Sequence, residues 1–165
     1  MANCPAPARV GQSIAPSERT GLAGSDRDVT FSVRDDGQVD ALIGPELPVF
    51  QEALNDSVSS LPPRGAPGNG PSTYWIDHAE NGVLSAQRTG DGRPFTWGNT
   101  TVLRLQGDTV VASYDYAEPD EPGDEVPLAD FLALLAEWRI QVMECASIAK
   151  QPLPETYRRN PAPTG

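Results

Sequence analysis

The chain reads YDYAEPDEPGDEVPLADFLALLAEWRIQVMECASIAK from Tyr114 to Lys150. It begins as a strand end, continues as an acid-loaded loop and closes in the longest amphipathic run of the sequence. Within that run Leu128, Phe131, Leu132, Leu135, Trp138, Val142, Met143 and Ala146 recur at helical spacing and predict a helix over about 128–149. Pro127 suits a position at or just before its first turn, and Asp130 with Glu125 suits its positive end. Pro152 and Pro154 forbid continuation. A helix with one apolar stripe needs a surface to cover, and the preceding segments supply candidates for it.

Working backwards, Thr109–Tyr116 reads as a strand, Gly107-Asp108 as a tight turn and Phe95–Gln106 as a further strand. Thr73–His78 is aromatic and branched, Asn81-Gly82 is a strong hairpin marker, and Val83–Arg88 returns, so these segments predict another strand pair. Thr89–Pro94 turns the chain towards the next strand. Short turns between successive strands favour an antiparallel meander of three to four strands. Nearer the start, Val29, Phe31 and Val33 alternate with polar residues, Asp35-Asp36-Gly37 turns, and Val39, Ala41 and Ile43 resume, which predicts a hairpin. Val49, Phe50, Ala53, Leu54, Val58 and Leu61 predict a short helix over about 48–60, stopped by Pro62-Pro63. The Pro/Gly-rich run 62–72 reads as a mobile connection, residues 1–26 as a flexible arm, and residues 152–165 as a tail with a basic spot at Arg158-Arg159. The expected architecture is one α+β domain over residues 27–151, an antiparallel meander with the long C-terminal helix packed on one face.

A chain of 165 residues with 38% hydrophobic and 21% charged residues is of ordinary single-domain size. The 17 prolines and 15 glycines concentrate towards the ends and the 62–72 connection, in keeping with a packed core between looser segments. The formal net charge is −11, and the eight carboxylates between Asp115 and Glu137, with no Lys or Arg among them, account for most of it. Such a balance excludes direct nucleic-acid binding, which needs clustered basic residues, and docking on an anionic membrane. It suits a basic protein partner approached under electrostatic steering. No window approaches a membrane span or the apolar core of a signal peptide, so the reducing cytoplasm is the expected address. Of the two cysteines, Cys4 lies in the N-terminal arm and Cys145 on the apolar helix, where it reads as a buried thiol.

The candidate partner-binding residues are Tyr114 and Tyr116, which strand alternation places on one face, with Glu118, Asp120, Glu121, Asp124 and Glu125 of the acidic loop. A Ca²⁺ loop is not expected, because the ligand order of an EF-hand cannot be laid on residues 115–125. No metal and no cofactor is expected. His78 is the only histidine, and no nucleophile turn accompanies it. The glycine-rich segments 65–70 and 90–92 lack the Lys-Ser/Thr of a phosphate cradle. No catalytic residue is assigned, and the chain is expected not to be an enzyme.

The series YWIDHAENGVLSAQR (74–88), TTVLRLQGDTVVASYDY (100–116) and EVPLADFLALLAEWR (125–139) is similar to the small acidic immunity proteins of bacterial polymorphic toxin systems, over about residues 73–140. That resemblance implies a cytoplasmic inhibitor that binds one toxin domain tightly and blocks its active site. It transfers no site residues, because such proteins share no catalytic motif. The alternatives are a structural or assembly protein of phage or secretion-system origin, a DNA mimic and, least favoured, a hydrolase-type enzyme. Mimicry of duplex DNA needs charge spread over an extended surface, whereas here it is local.

Overall fold

The computed structural model describes residues 29–66, 70–118 and 121–149. The arm 1–26, the tail 152–165 and Cys4 lie outside them. The chain folds as β1 (Thr30–Val33), β2 (Val39–Leu42), α1 (Pro48–Ser57), α2 (Tyr74–Thr89), β3 (Pro94–Trp97), β4 (Thr101–Gln106), β5 (Thr109–Tyr114), β6 (Asp124–Pro127) and α3 (Leu128–Ala149). Strands β3-β4-β5-β6 form an antiparallel meander in sequence order, and β1-β2 is a separate hairpin. The fold is α+β, with the long C-terminal helix packed on the sheet.

One face of the sheet presents Leu103, Leu105, Val110, Ala112 and Val126 to the core, the alternation a pleated strand imposes. Onto it α1 brings Phe50, Ala53 and Leu54, and α3 brings Phe131, Leu134, Leu135, Trp138 and Val142. Phe131 sits at the meeting point, with its ring centroid 5.9 Å from that of Phe50 and 6.0 Å from that of Phe95. The stripe expected on α3 holds for its first two thirds. Met143 is 56% exposed, however, and Leu134, outside the expected stripe, is buried. No helix among the described residues is long and apolar enough to cross a membrane.

Residues 74–89 correct the expectation of a strand pair. They form the single helix α2, with Ile76, Ala79, Val83 and Ala86 buried at helical spacing. Ser72 Oγ accepts from the Tyr74 N–H at 3.2 Å, and Gly90, at φ 67°, ends the helix with its N–H on the Ala86 carbonyl. Gly82 works here as a contact surface. A Cβ at this position would stand 3.0 Å from the Phe95 carbonyl oxygen, so its absence lets α2 lie close on β3.

Two further boundaries differ. Phe95–Gln106 is broken by a turn, with Gly98 N–H donating to the Thr101 carbonyl, into β3 and β4. Asp124–Pro127 pairs with β5 as the edge strand β6, where the sequence reads as loop. Helix α1 stops at Ser57 rather than near residue 60.

The hairpin joins the body through the outer edge of β2, and side chains replace a neighbouring strand there. Val39 N–H donates to Ser60 Oγ at 2.8 Å, and the Trp138 indole N–H donates to the Val39 carbonyl at 2.7 Å. Gln51 of α1 donates to the Ala41 carbonyl and accepts from the Ile43 N–H. The connection 62–72 is tied at its ends, since Ser72 N–H donates to the Ser60 carbonyl at 2.8 Å, while residues 67–69 are outside the described set.

Trp138→Phe keeps an aromatic side chain but removes the indole donor and part of the buried volume, leaving the buried Val39 carbonyl without its partner and a small cavity beside it. Urea unfolding should show a loss of about 1–3 kcal/mol with the fold retained. An unchanged midpoint would contradict the role given to this bond.

Candidate functional site

The carboxylates of this chain divide by what they touch. Asp124, at the start of β6, turns inward. Its Oδ2 accepts from the N–H groups of Val49 and Phe50 at 2.7 and 3.0 Å. Helix α1 begins with Pro48 and has no side-chain cap of its own, so a residue 75 positions downstream satisfies its first donors and complements its positive end.

Asp56, in the last turn of α1, clasps the turn between β3 and β4. It accepts from Asn99 Nδ2 (2.8 Å), Thr100 N–H (2.9 Å), Thr101 N–H (3.3 Å) and Thr101 Oγ1 (3.1 Å). Gly98 makes room for it, because a Cβ there would fall 2.0 Å from Asp56 Oδ2. Burial opposes ionisation of Asp56, but the hydrogen bonds from Thr100, Asn99 and Thr101 together outweigh it and hold the carboxyl below its ordinary 3.8.

Glu52, one turn earlier on α1, binds Thr100 Oγ1 at 3.1 Å and the Tyr114 hydroxyl at 2.9 Å. The hydrogen bond to Glu52, with smaller contributions from burial and nearby negative charge, raises the Tyr114 phenol above its ordinary 10. Tyr114 is thereby latched, and Tyr116 stacks on it with centroids 5.3 Å apart and planes 17° from parallel. Tyr116 is itself 74% exposed.

The same stretch of chain carries Asp115, Glu118, Glu121 and Glu125, all exposed. The Glu121 N–H closes a turn on the Glu118 carbonyl at 3.0 Å. Glu125 neighbours Val111 across the sheet, on the face away from the core. Among the described residues, ion pairs engage Asp36, Asp40, Asp77, Glu80 and Asp91, and none engages a carboxylate of residues 115–125. Of the residues expected to meet a partner, the structure stacks Tyr114 and Tyr116 on the α1 side of the sheet, leaves Glu118 and Glu121 exposed in the loop that follows, and sets Glu125 on the opposite face of β6. It gives Asp124 an internal task, and Asp120 lies outside the described residues. Glu52, the residue that fixes the tyrosines, carries no signal in the local sequence, since its partner is 62 positions away.

His78 sits exposed on α2 rather than at a strand end, and its ring lies parallel to that of Tyr74, 6.5 Å between centroids. The adjacent Asp77 is occupied by Thr73 Oγ1 and by Arg139, which also pairs with Glu80 and so ties α3 to α2. Among the described residues no group of three or more His, Cys, Asp or Glu side chains is placed to hold a metal ion. Cys145 is buried on α3. A groove of about 430 Å³ runs between α2 and β3, past Gly82, Phe95 and Trp97. No protein-family model, curated protein or solved structure matches the chain.

The lowered Asp56 acidity sets the sign of a pH effect. Its stabilising contribution is complete above the unfolded value near 3.8 and is lost as pH falls through the lower folded value. Asp56→Asn should therefore cost about 1 kcal/mol at neutral pH, and the gap from wild type should close in acid below that range. Urea midpoints measured across pH test this, and a gap that widens in acid would contradict it.

Proposed function

We propose that this chain is a stoichiometric binding protein, an immunity-type inhibitor that engages the basic surface of a cognate bacterial toxin domain in the cytoplasm. The observation that carries the reading is the surface itself. An exposed tyrosine is stacked on a latched one, and the loop that follows them carries exposed carboxylates that have no ion-pair partner within the described fold. Tyrosine contributes large contact area with little rotamer entropy to lose, and the latch from Glu52 lowers that loss further. Glu118, Glu121 and Glu125, with Asp120, supply attraction at a distance, which acts on the association rate more than on the final affinity. Asp124 supports the edge from within by anchoring β6 to α1. The resemblance of residues 73–140 to acidic immunity proteins points to the same kind of partner.

The gene immediately upstream of this chain's own should encode a large secreted protein with a variable C-terminal domain, and the test is co-expression of this chain with that domain. The wild-type chain should relieve growth arrest, and the combined variant Glu118→Lys, Glu121→Lys, Glu125→Lys should not. Association of the purified pair should slow as salt shortens the screening length below about 8 Å. Relief by the reversed variant equal to that by wild type would overturn the proposal, as would failure of the wild-type chain to relieve arrest.

A further inference from the structure

We propose that the free edge of β1 is where two copies of this chain join, by antiparallel pairing of Val29–Val33 with itself about a twofold axis through Phe31. The hairpin's own hydrogen bonds show which main-chain groups are available. Arg34 N–H donates to the Gln38 carbonyl at 2.8 Å, so alternation turns the main-chain groups of Arg34, Ser32 and Thr30 towards β2. Those of Val33 and Phe31 then point away from it. The second strand obeys the same alternation. Val39, Ala41 and Ile43 face away from β1, and they are the residues that Ser60, Trp138 and Gln51 satisfy. One edge of the hairpin is thus sealed by side chains. The other has no strand beside it among the described residues, and no hydrogen bond there engages its outward groups.

The sequence of the strand names the partner. Val29-Thr30-Phe31-Ser32-Val33 reads nearly alike in both directions. Antiparallel pairing centred on Phe31 sets Phe31 opposite its own counterpart, Val29 opposite Val33 and Thr30 opposite Ser32, so each side chain meets one of its own kind. The centre of this near-palindrome is also a residue whose main-chain groups point outward. The Phe31 pair and both Val29–Val33 pairs can therefore exchange N–H···O bonds, whereas a register displaced by one residue would oppose outward groups to inward ones.

The side chains agree with this register. Val29 and Phe31 pack against the core, and Val33, on the same side by alternation, is 41% exposed. Pairing would continue that apolar layer from one copy into the next and cover Val33. The edge also lacks the usual guards against pairing, since β1 contains no charged residue, no proline and no bulge. None of the residues assigned above to the basic partner takes part.

Sedimentation equilibrium of the full chain tests the proposal. The chain should dimerise reversibly with concentration, and more tightly as salt rises, because two copies of net charge −11 repel each other until screened. Val33→Pro removes an outward N–H and spares the bonds to β2, so circular dichroism should be unchanged while dimerisation weakens about tenfold. Thr30→Cys combined with Ser32→Cys reads the register. These positions face each other across the axis at the close Cα spacing of about 4.5 Å, within disulfide reach. Mild oxidation should give a covalent dimer from the double variant, well above either single variant and the background of Cys4 and Cys145 in wild type. A chain that stays monomeric at every concentration and salt would overturn the proposal. So would a dimer that a folded Val33→Pro variant forms as tightly as wild type, or one that the cysteine pair fails to capture. If Val33→Pro does not fold, the cysteine pair decides.

Discussion

A backbone N–H or C=O taken out of water needs a partner, and in this fold several decisive ones find a side chain from a distant part of the chain. The outer edge of β2 has no neighbouring strand and is satisfied by Ser60, Gln51 and Trp138. The first donors of α1 are satisfied by Asp124, and the turn between β3 and β4 by Asp56. Each of these bonds joins elements that the apolar core alone would bring near but not orient. A buried edge without such partners would cost about 1–3 kcal/mol per group, so these few side chains decide where the hairpin and α1 sit.

The same requirement sorts the acidic residues. Asp56 and Asp124 are held by N–H groups and belong to the scaffold. Glu52 stands between, exposed but occupied by Thr100 and Tyr114. Glu118, Glu121 and Glu125 are exposed and enter no ion pair among the described residues. Concentrated anionic charge with no internal use repels itself and costs stability. That cost separates the outward set from the carboxylates that belong to the scaffold.

The α3 stripe and the antiparallel turns were legible from sequence because they depend on periodicity and on glycines such as Gly37 and Gly107, both at positive φ. Helix α2 was not. Its opening Tyr74-Trp75-Ile76 and its Asn81-Gly82 are local β signals, whereas the burial of Ile76, Ala79, Val83 and Ala86 wins only once β3 and the core are in place. Strand β6 was hidden for a related reason. Four residues with two carboxylates and a proline carry little strand preference, and pairing with β5 supplies the order. Strand alternation predicts a shared face for Tyr114 and Tyr116, but β5 ends at Tyr114 and the two rings stack across the turn that follows it. The assignment of Asp124 to α1 depends on a contact 75 positions away, which no local pattern contains.

The division of the carboxylates is the central claim, and urea unfolding at neutral pH and low salt tests it most directly. Replacing three outward residues together, Glu118→Gln, Glu121→Gln and Glu125→Gln, should leave stability unchanged or raise it by relieving repulsion. The single inward replacement Asp124→Ala should lower it by about 1 kcal/mol. A triple variant that unfolds more readily than Asp124→Ala would mean that the outward carboxylates are part of the scaffold, and the account would be contradicted.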